Sequence, residues 1–271
     1  MLNRDVTVFD SIAATYDASF SNTLIGAQQR MLVREHLQYF LKDKSHLKIL
    51  EINCGTGDDA LWLSSLGHEV VATDASANMI AIAEQKAHIT NIQNDPVFIQ
   101  CDFEKLYARF KNQKFDLIFS NFSGLNCLGP GQLQVLGSDL HALLTADGHI
   151  AAVIFGKHTG WEVLYFLSKF NSKRAFSRWP NKPIKVSLKE GVEQTIYYYS
   201  VGQFRQLMSD FQLVQKRPVG LFIPPSYLER QMQKREKLFR KLVNLEHRFS
   251  TLSYFSGLAD HTYLLFKKKA I

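Results

Sequence analysis

Between residues 47 and 156 the chain repeats one pattern. A short continuous apolar run leads into a turn, and the turn leads into apolar residues at helical spacing. The apolar runs are LKILEIN (47–53), HEVVATDAS (68–76), DPVFIQCDF (95–103), KFDLIFSNFS (114–123) and GHIAAVIFG (148–156). Helical spacing covers 58–66, stopped by Gly67, then 77–88, where Ser76 is placed to cap, and then 131–144. Upstream, Leu24, Met31, Leu32, Leu37 and Phe40 predict a helix over 24–41. Strands alternating with helices predict right-handed crossovers and a parallel sheet, an α/β fold. Strands that are apolar throughout agree, because such a sheet is covered on both faces.

Past residue 156 the alternation breaks. Residues 160–198 read as aromatic, basic and irregular. A helix is predicted over 201–210, a strand at FQLVQKRPV (211–219), a basic amphipathic helix over 226–249 and a last strand at DHTYLLFKK (260–268). The expected organisation is an N-terminal cap (1–45), a ligand-binding core (46–156) and a lid (157–200). The rest of the core then follows (201–271), with a helical insertion at 220–258.

The stretch ILEINCGTGDDALWL (49–63) carries the chemistry. In open parallel sheets, ligands sit beyond the carboxyl ends of the strands. Gly55 and Gly57 permit a tight turn and a close approach to the main chain, and the next helix offers free N–H groups. GTGDDA satisfies G-x-G-x-x-A, so a dinucleotide-dependent dehydrogenase is one reading. Asp58 and Asp59, however, stand where a phosphate would bind, and acids there repel an anion. A cationic or zwitterionic ligand fits better, and Glu51 beside the loop suits one. S-adenosylmethionine has no phosphate, one sulfonium and one amino group. The plainer alternative for Glu51, Asp58 and Asp59 is first-turn capping.

Residues 9–156 resemble the class I, S-adenosylmethionine-dependent methyltransferase family, on the strength of LEINCGTGDDALWLSSLGHEVVATDAS, with a looser match in the final strands. Asn53 departs from the glycine usual at its position. The resemblance implies a doubly wound, mostly parallel seven-stranded sheet with an antiparallel last strand. It implies that Asn53, Cys54, Gly55 and Gly57 form the first cofactor loop and that Asp74, followed by Ala75, meets the ribose hydroxyls. Met79 would pack on the adenine. Cys101, Asp102 and Phe103 would reach the adenine amino group and ring, although Asp102 also reads as an N-cap. Asn121 and Phe122 would line the cleft, with Asn126 reaching cofactor or substrate. FDSIAATYDASF (9–20) is similar to the opening segment of small-molecule and quinone-type methyltransferases. That likeness places Tyr16 at the mouth, and Arg30 on the next helix against the cofactor carboxylate.

Composition adds little to this picture. The chain has 271 residues, 46% of them hydrophobic, enough for one large domain with an insertion. Three separated cysteines argue against a zinc or disulfide framework, and no metal is expected. No leader or spanning segment is evident, so a cytoplasmic protein is expected. The formal charge of +7 centres on RQMQKREKLFRK (230–241) and KKK (267–269). A solvated helix face explains it, and so does attraction to an acidic carrier protein, a membrane surface or nucleic acid. The expected activity is methyl transfer to a small apolar or aromatic metabolite, free or carrier-bound. FSNFSGLNC (119–127) lacks N-P-P-[YF], which disfavours nucleic acid, so an RNA methyltransferase ranks second. A non-catalytic scaffold is the third reading. His158, beyond the fifth strand, is the first candidate for a general base; Glu162, Tyr197, Tyr198, Tyr199 and His261 are others. Trp161, Tyr165 and Tyr199 are the predicted acceptor wall.

Overall fold

A computed structural model describes residues 7–90, 94–189 and 191–270. The first six positions of the predicted cap lie outside the described residues. Two short N-terminal turns flank α1 (Ala13–Tyr16), and α2 (Leu24–Leu41) follows. The core then runs β1 (Lys48–Ile52), α3 (Asp58–Ser65), β2 (Glu69–Asp74), α4 (Ala77–Thr90), β3 (Val97–Gln100), α5 (Leu106–Phe110), β4 (Phe115–Ser120), α6 (Pro130–Leu143) and β5 (Leu144–Phe155). The later elements are α7 (Gly160–Ser168), α8 (Ser172–Ala175), β6 (Ile184–Lys189), β7 (Val192–Ile196), α9 (Val201–Leu207), β8 (Phe211–Val219), α10 (Glu229–Gln233), α11 (Glu236–Phe249) and β9 (His261–Lys268).

The main sheet has the order β3-β2-β1-β4-β5-β9-β8. β1, β2, β3, β4 and β5 pair in parallel, while β9 lies between β5 and β8 and is antiparallel to both. This is the α/β, seven-stranded sheet with an antiparallel last strand. The strands are apolar throughout because alternate side chains enter different cores. Leu50 and Ile52 of β1 join α6 and α9 in one cluster. Ile49 joins α2 and α3 in the other. Strand order reverses between β1 and β4, so their carboxyl ends diverge and leave a crevice.

Two segments differ from the sequence expectation. Residues 160–198 are not irregular: they hold α7, α8 and the antiparallel β6–β7 hairpin, whose turn has Gly191 at φ 76°. The predicted helix 226–249 is broken. Arg235, at φ −132° and ψ 46°, separates α10 from α11, and Met232 and Phe239 on either side enter one apolar cluster with Ile25 and Ile223.

That cluster is pinned by two carboxylates. Glu229 accepts the N–H groups of Leu24 and Ile25, both at 2.9 Å, satisfying free donors at the start of α2. Glu246, 1% exposed, accepts four N–H groups, from Gly220, Leu221, Phe222 and Ile223, at 2.5–3.0 Å. Replacing Glu246 with alanine leaves four inward-facing donors unpaired. The expected loss is about 3 kcal/mol or more in urea unfolding; a loss near zero would show that water replaces the carboxylate freely.

Candidate functional site

The turn after β1 needs three left-handed residues, Asn53 (φ 55°), Gly55 (φ 55°) and Gly57 (φ 82°). Asparagine tolerates this conformation, and here its side chain is also used. Asn53 Nδ2 donates to the Asn121 carbonyl at 2.7 Å, and Oδ1 accepts from Ser120 Oγ at 2.6 Å. The turn is thereby tied to the end of β4. At Gly55, an added Cβ would meet only Tyr16 at 3.8 Å, so the backbone faces open space. Gly57 is different. A Cβ there would strike Ala83 and Phe98 at 2.8–2.9 Å, so this glycine serves packing.

Asp74 closes the turn. Its Oδ2 accepts the Gly55 N–H and its Oδ1 the Ser76 N–H, both at 2.9 Å. Burial raises its pKa above the ordinary carboxylate value, against the pull of those two bonds. Ser76 caps α4, accepting the Met79 N–H at 3.1 Å, and donates to Asp10 at 2.6 Å. Asp10 thus draws the N-terminal segment over the crevice.

The acids after the turn do not face the crevice, which corrects the reading that they repel a bound phosphate. Asp59, 1% exposed, is held by Arg30 Nη1, by Arg34 Nε at 2.8 Å and by Asn121 Nδ2 at 2.8 Å. Asp58 pairs with Lys86 at 2.7 Å, and Lys86 also reaches Asp17 at 2.7 Å. Three cations on α2 and α4 are therefore committed to acids of this chain. Electrostatically the outcome for a phosphate is similar. Among the described residues, Asp74 and Asp102 line the crevice beside the turn, while the cations that line it, Arg174, Arg178 and Lys185, belong to later elements.

The crevice has a volume of about 1290 Å³, more than a single small ligand fills. Of the predicted cofactor residues, Tyr16, Asn53, Gly55, Asp74, Ala75 and Met79 line it. Cys101, Asp102, Phe103, Asn121 and Phe122 line it too. Asp102 also caps the next turn, accepting the Lys105 N–H at 3.0 Å. Burial moves the Tyr16 phenol up to about 12. Four of the predicted cofactor residues stand behind the surface. Arg30 is engaged with Asp59 and Ser21 and stacks over Phe122 at 5.0 Å, and it does not line the crevice. Glu51 and Cys54 are buried, and Gly57 is packed. Burial and the neighbouring Asp59 raise the Glu51 pKa well above the usual range, and its Oε2 lacks a partner.

The opposite wall comes from later elements. Tyr165 lines it as predicted, joined by Phe166, Tyr198, Tyr227 and strand β6. Three predicted acceptor residues are structural instead. Asn126 clips two segments together, accepting the Phe155 N–H at 3.0 Å and donating to the Tyr197 carbonyl at 2.6 Å. Trp161 donates to the Phe222 carbonyl at 3.0 Å. The Tyr199 hydroxyl donates to the Leu128 carbonyl at 2.6 Å inside the core. His158 does not line the crevice; it packs edge-on against Trp179, and burial and Lys157 lower its pKa.

His261 does line it. Its ring stacks on Phe155, centroids 4.8 Å apart, and meets the edge of Phe122 at 5.8 Å. Its Nδ1 lies 3.3 Å from Asp260 Oδ2. Arg178 binds Asp260 Oδ1 at 3.2 Å and Glu162 Oε1 at 2.6 Å, and Gln29 reaches Asp260 Oδ2 at 3.4 Å. Burial alone would raise the Asp260 pKa; His261 and Arg178 bring it down to about 2. Arg178 and Asp260 are 82 positions apart, and nothing in the sequence links them. His261 had a weak signal, as a histidine at a strand start.

A sheet of order β3-β2-β1-β4-β5-β9-β8 with β9 antiparallel, and a bare turn beside Asp74 at its reversal, is the class I methyltransferase fold. Residues 49–148 match the family described as methyltransferase domain. The chain is 31% identical over 155 residues to the ubiquinone/menaquinone biosynthesis C-methyltransferase UbiE of Coxiella burnetii, covering 56% of this chain and 59% of that protein. It is 29% identical over 151 residues to the demethylmenaquinone methyltransferase of Staphylococcus epidermidis, covering 54% and 58%. The alignment thus spans under two thirds of the length of either relative. The magnesium protoporphyrin IX methyltransferase (ChlM) of Synechocystis PCC 6803, solved with bound SAH, superposes with a TM-score of 0.55 at 16% identity, over 90% of this chain and 85% of that one. Residues 49–148 thus form a methyltransferase domain on the class I fold, and S-adenosylmethionine is the cofactor that such a domain implies.

Arg30→Met removes one guanidinium from Asp59 and leaves Arg34 and Asn121. We expect a loss of about 3 kcal/mol in urea unfolding. Weaker cofactor binding with unchanged stability would instead return Arg30 to a direct role.

Proposed function

We propose that the chain transfers a methyl group from S-adenosylmethionine to a small apolar, aromatic acceptor of the quinol type. The observation that carries this is the division of one crevice into two walls. The first wall has a bare turn and Asp74, which has no cation partner among the described residues; the other sets the rings of Phe155, Tyr165, Phe166 and Tyr227 beside the polar group of Arg178, Asp260 and His261. The names of the Coxiella and Staphylococcus relatives support a quinone-like acceptor.

The first wall fits the cofactor on three counts. Asp74 has two backbone donors and no cation, so ribose hydroxyls are suitable further donors. Met79 and Phe103 offer apolar faces for a purine. The cations nearby are engaged elsewhere, so nothing on this wall attracts a diphosphate. The bound cofactor supplies a methyl group on a sulfonium, with a neutral thioether as leaving group. The chain then has to hold the acceptor in line and keep water out.

His261 takes the place of His158 as general base. Asp260 Oδ2 lies 3.3 Å from Nδ1 without an aligned hydrogen bond, and its negative charge favours a proton on that nitrogen, which leaves Nε2 to accept one from an acceptor hydroxyl. Asp260 and Arg178 are positioning residues.

The test is methyl transfer from isotope-labelled S-adenosylmethionine to a demethylated naphthoquinol, read by labelled product. Labelled product supports the reading; cofactor binding with no product would favour a scaffold, and labelling of RNA instead would overturn it. Asp74→Ala should weaken S-adenosylmethionine binding by about 2–3 kcal/mol in calorimetry, at roughly 1–1.5 kcal/mol per lost bond. His261→Gln should lower kcat about 10²-fold or more with cofactor affinity retained. His158→Gln should leave kcat unchanged. The opposite ranking of the two histidines would return the base to the loop after β5.

A further inference from the structure

The segment that builds the acceptor wall also carries an outward face of unusual composition. On α7, Leu164 is 71% exposed and Leu167 lies one turn further along the same face. Phe170, just past the helix, is 99% exposed. Its φ is 54°, the left-handed conformation that usually falls to glycine at a helix end. The helix closes around it, with Phe170 N–H on the Leu167 carbonyl at 2.9 Å and Asn171 N–H on the Phe166 carbonyl at 2.8 Å. A bulky aromatic is thus held in a costly backbone conformation with no internal contact. Both features are unfavourable in water. Trp179, 46% exposed, and Phe176 stand nearby in sequence and pack edge-on against each other.

Charge on this segment is one-sided. Lys169, Lys173, Arg174, Lys182 and Lys185 are exposed. Between residues 160 and 189 the only acid is Glu162, which turns inward onto Arg178. Lys185 has a partner in the hairpin, Glu193 at 3.3 Å. The inner side of the same segment, through Tyr165, Phe166 and β6, is crevice wall.

We propose that this face docks on an anionic lipid bilayer, so that an apolar acceptor passes from lipid to the crevice without crossing water. Separate apolar projections over a basic surface match interfacial anchoring by two weak signals. A protein partner would call for a packed apolar centre with a polar rim. The docking surface is independent of the acceptor's identity and of the base, so its test needs no turnover.

The full chain is floated with phosphatidylcholine vesicles, with and without phosphatidylglycerol, and in parallel offered an acidic acyl carrier protein. Binding is expected only to vesicles containing phosphatidylglycerol, weakening as salt rises. Leu164→Glu with Phe170→Glu should weaken it roughly tenfold or more. Both side chains are outside the cores, so the melting temperature and S-adenosylmethionine affinity of the variant are expected to stay unchanged. Equal binding of parent and double variant would overturn the proposal, since charge alone would then explain attachment. Failure to float on either vesicle, or capture by the carrier protein in preference to vesicles, would also overturn it.

Discussion

The buried carboxylate of Asp59 organises the donor side of this molecule. It sits at the start of α3 and is gripped by Arg30, Arg34 and Asn121, from one helix and one strand end. An isolated ion at that depth would be prohibitively unfavourable, so all four groups must be in place together. When they are, the turn at 53–57 has no freedom left. Asn121, which donates to Asp59, also accepts from Asn53 through its main chain. The bare edge of Gly55 is thereby presented to the crevice with its direction fixed.

Much of the fold was legible along the chain because its strands are buried on both faces and its helices are bounded by plain signals. The helix 24–41 and the strand 211–219 fall where periodicity places them. The hairpin of β6 and β7 was obscured by its polar, half-solvated character, although its alternating residues around Gly191 carry the period of a strand. The break at Arg235 has no punctuating residue; it reflects the need to aim Met232 and Phe239 into one cluster, which is a tertiary demand.

The candidate site was legible in proportion to how local it is. Asn53, Gly55 and Asp74 belong to a strand-turn-helix unit whose sequence is its own signature. The roles of Asp58 and Asp59 were not visible, because their cations come from one helix 25–29 residues upstream and another 28 residues downstream. The acceptor side was least legible. Asp260, Arg178 and Glu162 are gathered by the insertion of β9 between β5 and β8, a pairing that no short window of sequence contains.

Helix α2 braces both halves of the crevice from behind. Gln29 reaches towards Asp260, and the adjacent Arg30 towards Asp59. One rigid rod therefore sets the spacing between the donor turn and the acceptor wall, rather than the loops that bear the reacting groups. Collinearity between an incoming nucleophile and a departing sulfur becomes a property of eighteen helical residues acting as a gauge. Loops on either wall are then free to diverge in composition, and hence in the compounds they admit, without detuning the distance over which the carbon must travel.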